Sequence, residues 1–151
     1  MIYISHRGNI DGPDPQFENK PAYIDQALYS NPKFLVEVDV WVKDVHDPYC
    51  YLGHDEPQYE VDWSWLTKRR ERLVIHCKTV EALAVTTDTF NAFWHQEDDY
   101  TLTSGGWIWA YPGLRAPKGP GICITVAKGK DYPWKEQGFR GICSDYIETY
   151  L

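Results

Sequence analysis

The sequence predicts an α/β domain built on a mostly parallel sheet, and three observations carry that expectation. Apolar runs recur along the chain and are apolar nearly throughout, as strands covered on both faces are. Helical patterning separates the early runs. Polar residues with chemical capacity stand at the ends of those runs, where parallel sheets gather their sites.

The strand-like runs are Ile2 to Ser5, Phe34 to Val42, Cys50 to Leu52, Leu73 to His76, Ala92 to His95, Trp107 to Ala110, Ile122 to Val126 and Gly141 to Cys143. A helix is expected to open at Pro21, a residue favoured at the first helical position, and to run from Ala22 to Tyr29 with Ile24, Ala27 and Leu28 on one face. A second starts after Asp62 as N-cap and carries Trp63, Trp65 and Leu66; a third follows Thr79 through Val80 to Val85. No helix is expected beyond residue 90. Gly105-Gly106, Tyr111-Pro112-Gly113 and Pro117 to Gly121 read as turns or loops.

At 151 residues the chain is expected to form one domain, 1–151. With 7 Trp and 11 Tyr against a single Met, aromatic rings must fill much of its core. A net charge of −7 argues against long-range attraction to nucleic acid or an anionic membrane and suits a divalent cation better. Cys50, Cys77, Cys123 and Cys143 form no CxxC pair, and the three that sit in strand-like runs are expected to be buried reduced thiols. No run has the length of a spanning helix and no secretory pattern follows Met1, so a cytoplasmic location without membrane insertion is expected.

The chemistry is concentrated in three places. His6-Arg7-Gly8 closes the first apolar run, Glu37-Val38-Asp39 lies within the second, and His54-Asp55 follows the third. Carboxylates at alternate positions of a strand point to one face, and two of them side by side are costly without a cation. Imidazoles at neighbouring strand ends can divide proton donation and acceptance around a metal-bound phosphate. Arg7, with a planar fork suited to paired phosphate oxygens, and Lys78 are expected to contact the phosphate. Bland readings stand beside these: Arg7 and Lys78 as solvated charges, Glu18 as a helix cap, His76 as a core histidine, Asp145 as a turn cap. The segment from Phe93 to Asp99 reads equally as a substrate-side wall or a plain loop.

Taken in order, these residues resemble the glycerophosphodiester phosphodiesterase family, within the wider group of phosphatidylinositol-phospholipase-C-like phosphodiesterases. His6-Arg7-Gly8 is similar to the family's opening motif, Glu18-Asn19 to its glutamate-asparagine pair, and Glu37-Val38-Asp39-Val40 to its Glu-x-Asp-Val strand. Lys43-Asp44, Leu52 and His54-Asp55 follow in the family's order, and Arg140 to Asp145 is similar to its closing strand. The resemblance implies a (β/α)8 TIM-like barrel, compact here with several helices shortened or missing, since 151 residues fall short of the ~250 such a barrel takes. Exposed strand faces would then be covered by a partner copy in a homodimer. It implies catalysis by His6 and His54, supported by Glu18, Asn19 and Asp55. Glu37 and Asp39 would hold one divalent metal, magnesium or calcium first and manganese next, joined by His76 and Asp145. Ile75-His76-Cys77-Lys78 departs from the family's Glu-x-Lys strand, so His76 stands where a glutamate is expected, and imidazole favours softer ions than calcium or magnesium.

The expected activity is metal-dependent hydrolysis of a small phosphodiester, of glycerophosphodiester type, through a cyclic phosphate. Two alternatives use the same residues: a lyase that stops at the cyclic product, and a non-catalytic module that binds a phosphorylated ligand. Retention of both His6 and His54 argues against the last, because binding alone needs no pair of titrating groups.

Overall fold

Leucine, valine and isoleucine in the central runs drive the chain into one mixed sheet of ten strands, described over residues 1–151 in a computed structural model. The strands are β1 (Ile2–His6), β2 (Phe34–Trp41), β3 (Tyr49–Leu52), β4 (Tyr59–Asp62), β5 (Leu73–Cys77), β6 (Asn91–Phe93), β7 (Tyr100–Leu102), β8 (Ile108–Ala110), β9 (Cys123–Ala127) and β10 (Gly141–Ser144). Seven run parallel in the order β6-β5-β2-β1-β10-β9-β8. The hairpin β3-β4 extends antiparallel from the end of β2, and β7 lies antiparallel on β8.

Three helices accompany the sheet: α1 (Pro21–Ser30), α2 (Trp63–Thr67) and α3 (Val80–Thr86). Each starts where the sequence signals it, with Pro21 in the first turn and the Asp62 and Thr79 side chains accepting from the Trp65 and Ala82 amides. Their apolar faces cover one side of β2, β3 and β5, burying Ile24, Ala27, Leu28, Leu66 and Ala82 against Val36, Val38, Val40 and Ile75.

The (β/α)8 TIM barrel is therefore corrected to a mixed, mostly-sheet fold with few helices. The physical reason lies after residue 90. Between β6 and β10 the chain carries Gly105, Gly106, Pro112, Gly113, Pro117, Gly119, Pro120, Gly129, Pro133 and Gly138, whose helix penalties leave no stretch able to form an outer helix. Loops cover the sheet there instead. Trp134, Phe139 and Ile147 pack there with Phe34, Ala110, Cys123 and Ile142. Two strands escaped the sequence reading: β4 and β7 are short, and β4 buries only Val61.

On the opposite side Ile4, Val74, Phe93, Trp109, Ile124 and Cys143, drawn from six different strands, form a single apolar cluster. Such contact across the sheet requires strong curling. Ser104 joins the ends of the curl: its amide donates to the Ala92 carbonyl at 2.8 Å and its hydroxyl accepts from the Ala92 amide at 3.0 Å.

Arg72 fastens the helical layer to the sheet. It is the last residue of a 3₁₀ turn (Arg70–Arg72) and donates to the carbonyls of Leu28 at 2.9 Å, Asn31 at 2.9 Å and Phe34 at 3.0 Å, satisfying the C-terminus of α1, which has no basic residue of its own. Arg72→Ala is expected to lower stability by about 2–3 kcal/mol in urea unfolding, and Arg72→Lys, which offers a point charge instead of a fork, to recover less than half of that loss.

Candidate functional site

Strand parity builds the site on top of the curled cluster. Two residues beyond Ile4, Val74 and Cys143 come His6, His76 and Asp145, while Glu37 and Asp39 take the same face of β2. The ladder registers His6 against Glu37 and Asp39 against His76. One sheet face thus presents apolar side chains below and titratable ones at the carboxyl end.

Asp39 is 0% exposed and Glu37 only 2%. Burying two carboxylates together is unfavourable unless positive charge and donors surround them. Asn19 donates to Asp39 Oδ2 at 2.9 Å and accepts from the Asp39 amide at 3.0 Å. Arg7 Nε lies 3.1 Å from Oδ2, and Lys78 Nζ 3.8 Å from Oδ1. His76 Nδ1 stands 3.0 Å from Asp39 Oδ1 and 3.6 Å from Glu37 Oε1. Burial alone would raise the Asp39 pKa, yet His76, Arg7 and Asn19 together hold it far below the ordinary carboxylate range. For His76, burial pulls downward and the two carboxylates outweigh it, lifting the imidazole to about 9.

Arg7 and Asn19 reach these positions through left-handed backbone, with φ of 55° and 63°. Asparagine tolerates that region and arginine does so less readily, so the surrounding bonds must hold Arg7 there. The Arg7 amide donates to the Glu37 carbonyl at 3.0 Å and its carbonyl accepts from the Asn19 amide at 3.0 Å. Glu18 accepts from Arg7 Nη1 at 3.2 Å and from Asn9 at 2.9 Å.

The two histidines expected to exchange protons have matching arrangements. His6 Nδ1 lies 2.8 Å from Asp145 Oδ1, and His54 Nδ1 2.7 Å from Asp55 Oδ1. A carboxylate accepts only, so each Nδ1 carries the proton of the bond and each Nε2 is left to the pocket. His6 Nε2 stands 3.9 Å from Glu37 Oε2. Burial lowers the His6 pKa, but the bond to Asp145 and the charge of Glu37 raise it overall; Asp145 is held low by His6 and Asn9 against the opposing effect of its own burial.

Glu37, Asp39 and His76 each offer a ligand atom within 4.8 Å of the others; Glu37 Oε2 is buried without a hydrogen-bond partner, and Asp39 Oδ1 has only His76 Nδ1 and the more distant Lys78 Nζ beside it. Anionic oxygens converging on one point, one of them unpartnered, fit a bound cation. Asp145 is not in that set; it holds His6 in place instead. A pocket of about 270 Å³ opens over the cluster, where the titratable His6, Arg7, Glu37, His54 and His76 meet the aromatic Phe93, Trp109 and Tyr111, with His95 and Lys128 also in its lining. Its size suits a small molecule.

Within the segment from Phe93 to Asp99, Phe93 and His95 face the pocket, whereas Gln96, Glu97 and Asp98 line a separate open depression. Sequence reasoning missed Asn9, which is fully buried and donates to both Glu18 and Asp145 through one amide nitrogen. No spacing marks such a residue. It also missed Trp109, Tyr111 and Lys128, whose positions depend on the curl of the sheet. Comparison of the chain with models of known protein families, with curated proteins and with solved structures finds no match.

The His76 and Asp39 shifts set a stability window for the protein held in chelator. A raised imidazole stabilises the fold fully below its ordinary value of 6.5 and loses that contribution as pH rises through about 9. A depressed carboxyl stabilises above its ordinary 3.8 and loses its contribution as pH falls toward the folded value. The urea midpoint is expected to be highest between these limits and to drop toward pH 9.5 by the equivalent of about 2–3 kcal/mol, a drop that His76→Gln should remove.

Proposed function

We propose that the protein is a metal-dependent phosphodiesterase acting on a small phosphodiester of glycerophosphodiester type. The observation that carries this reading is the pair of His–Asp arrangements, His6–Asp145 and His54–Asp55, each presenting a free Nε2 to one pocket above the buried carboxylates. A divalent cation held by Glu37, Asp39 and His76 would supply charge neutralisation at a non-bridging phosphate oxygen. Arg7 and Lys78, both beside Asp39, bring the cationic donors for the remaining phosphate charge.

One imidazole takes the proton of the attacking hydroxyl while the other protonates the departing alcohol, and the two exchange roles when water opens a cyclic phosphate. Asp145 and Asp55 keep each ring in the tautomer that leaves Nε2 available for the transfer. Glu18, Asn9 and Asn19 hold Arg7 and Asp39 in register. Four buried free cysteines suit a reducing cytoplasmic setting, and no helix is long and apolar enough to cross a membrane.

Phosphorus NMR with glycerophosphodiesters tests the proposal and reports a cyclic product directly. His6→Ala and His54→Ala are each expected to lower turnover by about 100-fold or more with folding intact, while the exposed His46→Ala leaves it unchanged. Chelator should abolish turnover and a divalent ion restore it. Equal damage from His46→Ala, or full turnover in chelator, would defeat the assignment.

A further inference from the structure

We infer that the Glu37–Asp39–His76 cluster selects a divalent first-row transition ion over calcium or magnesium, with His76 Nδ1 as the discriminating ligand. The inference takes from the proposed function only that this cluster is a cation site.

The oxygen supply is the first argument. Calcium takes about 6–8 oxygen ligands and favours bidentate carboxylates. Asp39 can offer one oxygen only, because Oδ2 already receives Asn19 Nδ2 at 2.9 Å and faces Arg7 Nε at 3.1 Å. The oxygens left to a cation are Asp39 Oδ1, beside His76 Nδ1, and Glu37 Oε2, which accepts no hydrogen bond. Magnesium, which demands octahedral oxygen and surrenders water reluctantly, gains little from a set whose third member is nitrogen.

The imidazole is also fixed in the orientation a metal needs. His76 Nε2 is 3.2 Å from the His95 carbonyl, an acceptor, so Nε2 carries the hydrogen and Nδ1 turns its other face to the carboxylates. The ring is stacked on Phe93 with centroids 4.9 Å apart and planes 6° from parallel, and Phe93 stacks in turn on Trp109 at 4.5 Å. Rotation away from the cluster would break that stack and the bond to His95. Nδ1 is thus aimed at the two carboxylates, where a cation that displaces its proton and accepts nitrogen as readily as oxygen satisfies all three ligands.

Calorimetric titration of the full chain with manganese, zinc, calcium and magnesium tests this, together with ¹⁵N NMR of the His76 ring during zinc addition. Manganese and zinc are expected to bind at least about tenfold more tightly than calcium, with the Nδ1 resonance shifting and Nε2 keeping its proton. His76→Glu should move the preference to calcium; if circular dichroism shows that variant unfolded, His76→Asn should erase the preference. Equal or tighter calcium binding, or an Nδ1 resonance that zinc leaves unmoved, would overturn the inference. Selective binding without turnover of any phosphodiester would defeat the proposed function and uphold the selectivity, whereas selective calcium binding with turnover would do the reverse.

Discussion

Two carboxylates buried side by side on β2 impose the requirement that most of the neighbouring structure answers. Asp39 and Glu37 are almost wholly removed from water, and no pair of ionised carboxyls is stable there on hydration alone. Arg7, Asn19, His76 and Lys78 come to Asp39 from three separate parts of the chain, and two of them adopt left-handed backbone to do so. The cost of this arrangement is intelligible when charge is to be presented to a ligand.

The curled sheet makes that presentation possible with little helix. Inward side chains from six strands fill the space beneath the site, so the titratable layer rests on Phe93, Trp109 and Ile124 and cannot sink inward. Stacking through His76, Phe93 and Trp109 carries this support directly to the His76 ring beside Asp39. Core packing and site geometry are consequently one problem here: truncating Phe93 would cost stability through lost burial and would also free the imidazole to turn.

Local signals were legible where they depend on short-range physics. Pro21, Asp62 and Thr79 mark helix starts through capping and fixed φ, and the alternation of Glu37 and Asp39 gives their common face without any knowledge of the fold. The number of helices was not legible from the resemblance, because the Gly and Pro residues after Gly105 carry the chain over the sheet as loops, with Trp134 and Phe139 in place of a helical face. Asp145 illustrates a different gap. Its position at the end of β10 was readable, but whether its carboxylate joins Glu37 and Asp39 or turns to His6 is decided by Asn9, which donates to it at 2.8 Å from a loop that no sequence rule places.

That choice by Asp145 separates the labour of the two ends of the pocket. If Asp145 joined the metal ligands, His6 would lose the partner that fixes its tautomer, and Nδ1 and Nε2 would compete for the proton. Held by Asn9, it sets His6 in the same relation that Asp55 sets His54, one pair partly buried beside Glu37 and the other near the rim. The cluster left with converging ligand atoms is Glu37, Asp39 and His76, two carboxylates and one imidazole, with Asp145 outside it. The histidine on β5 and the carboxylate that turns away on β10 are thus two sides of one arrangement, in which the same few hydrogen bonds decide which side chains face Glu37 and Asp39 and how the His6 ring is oriented.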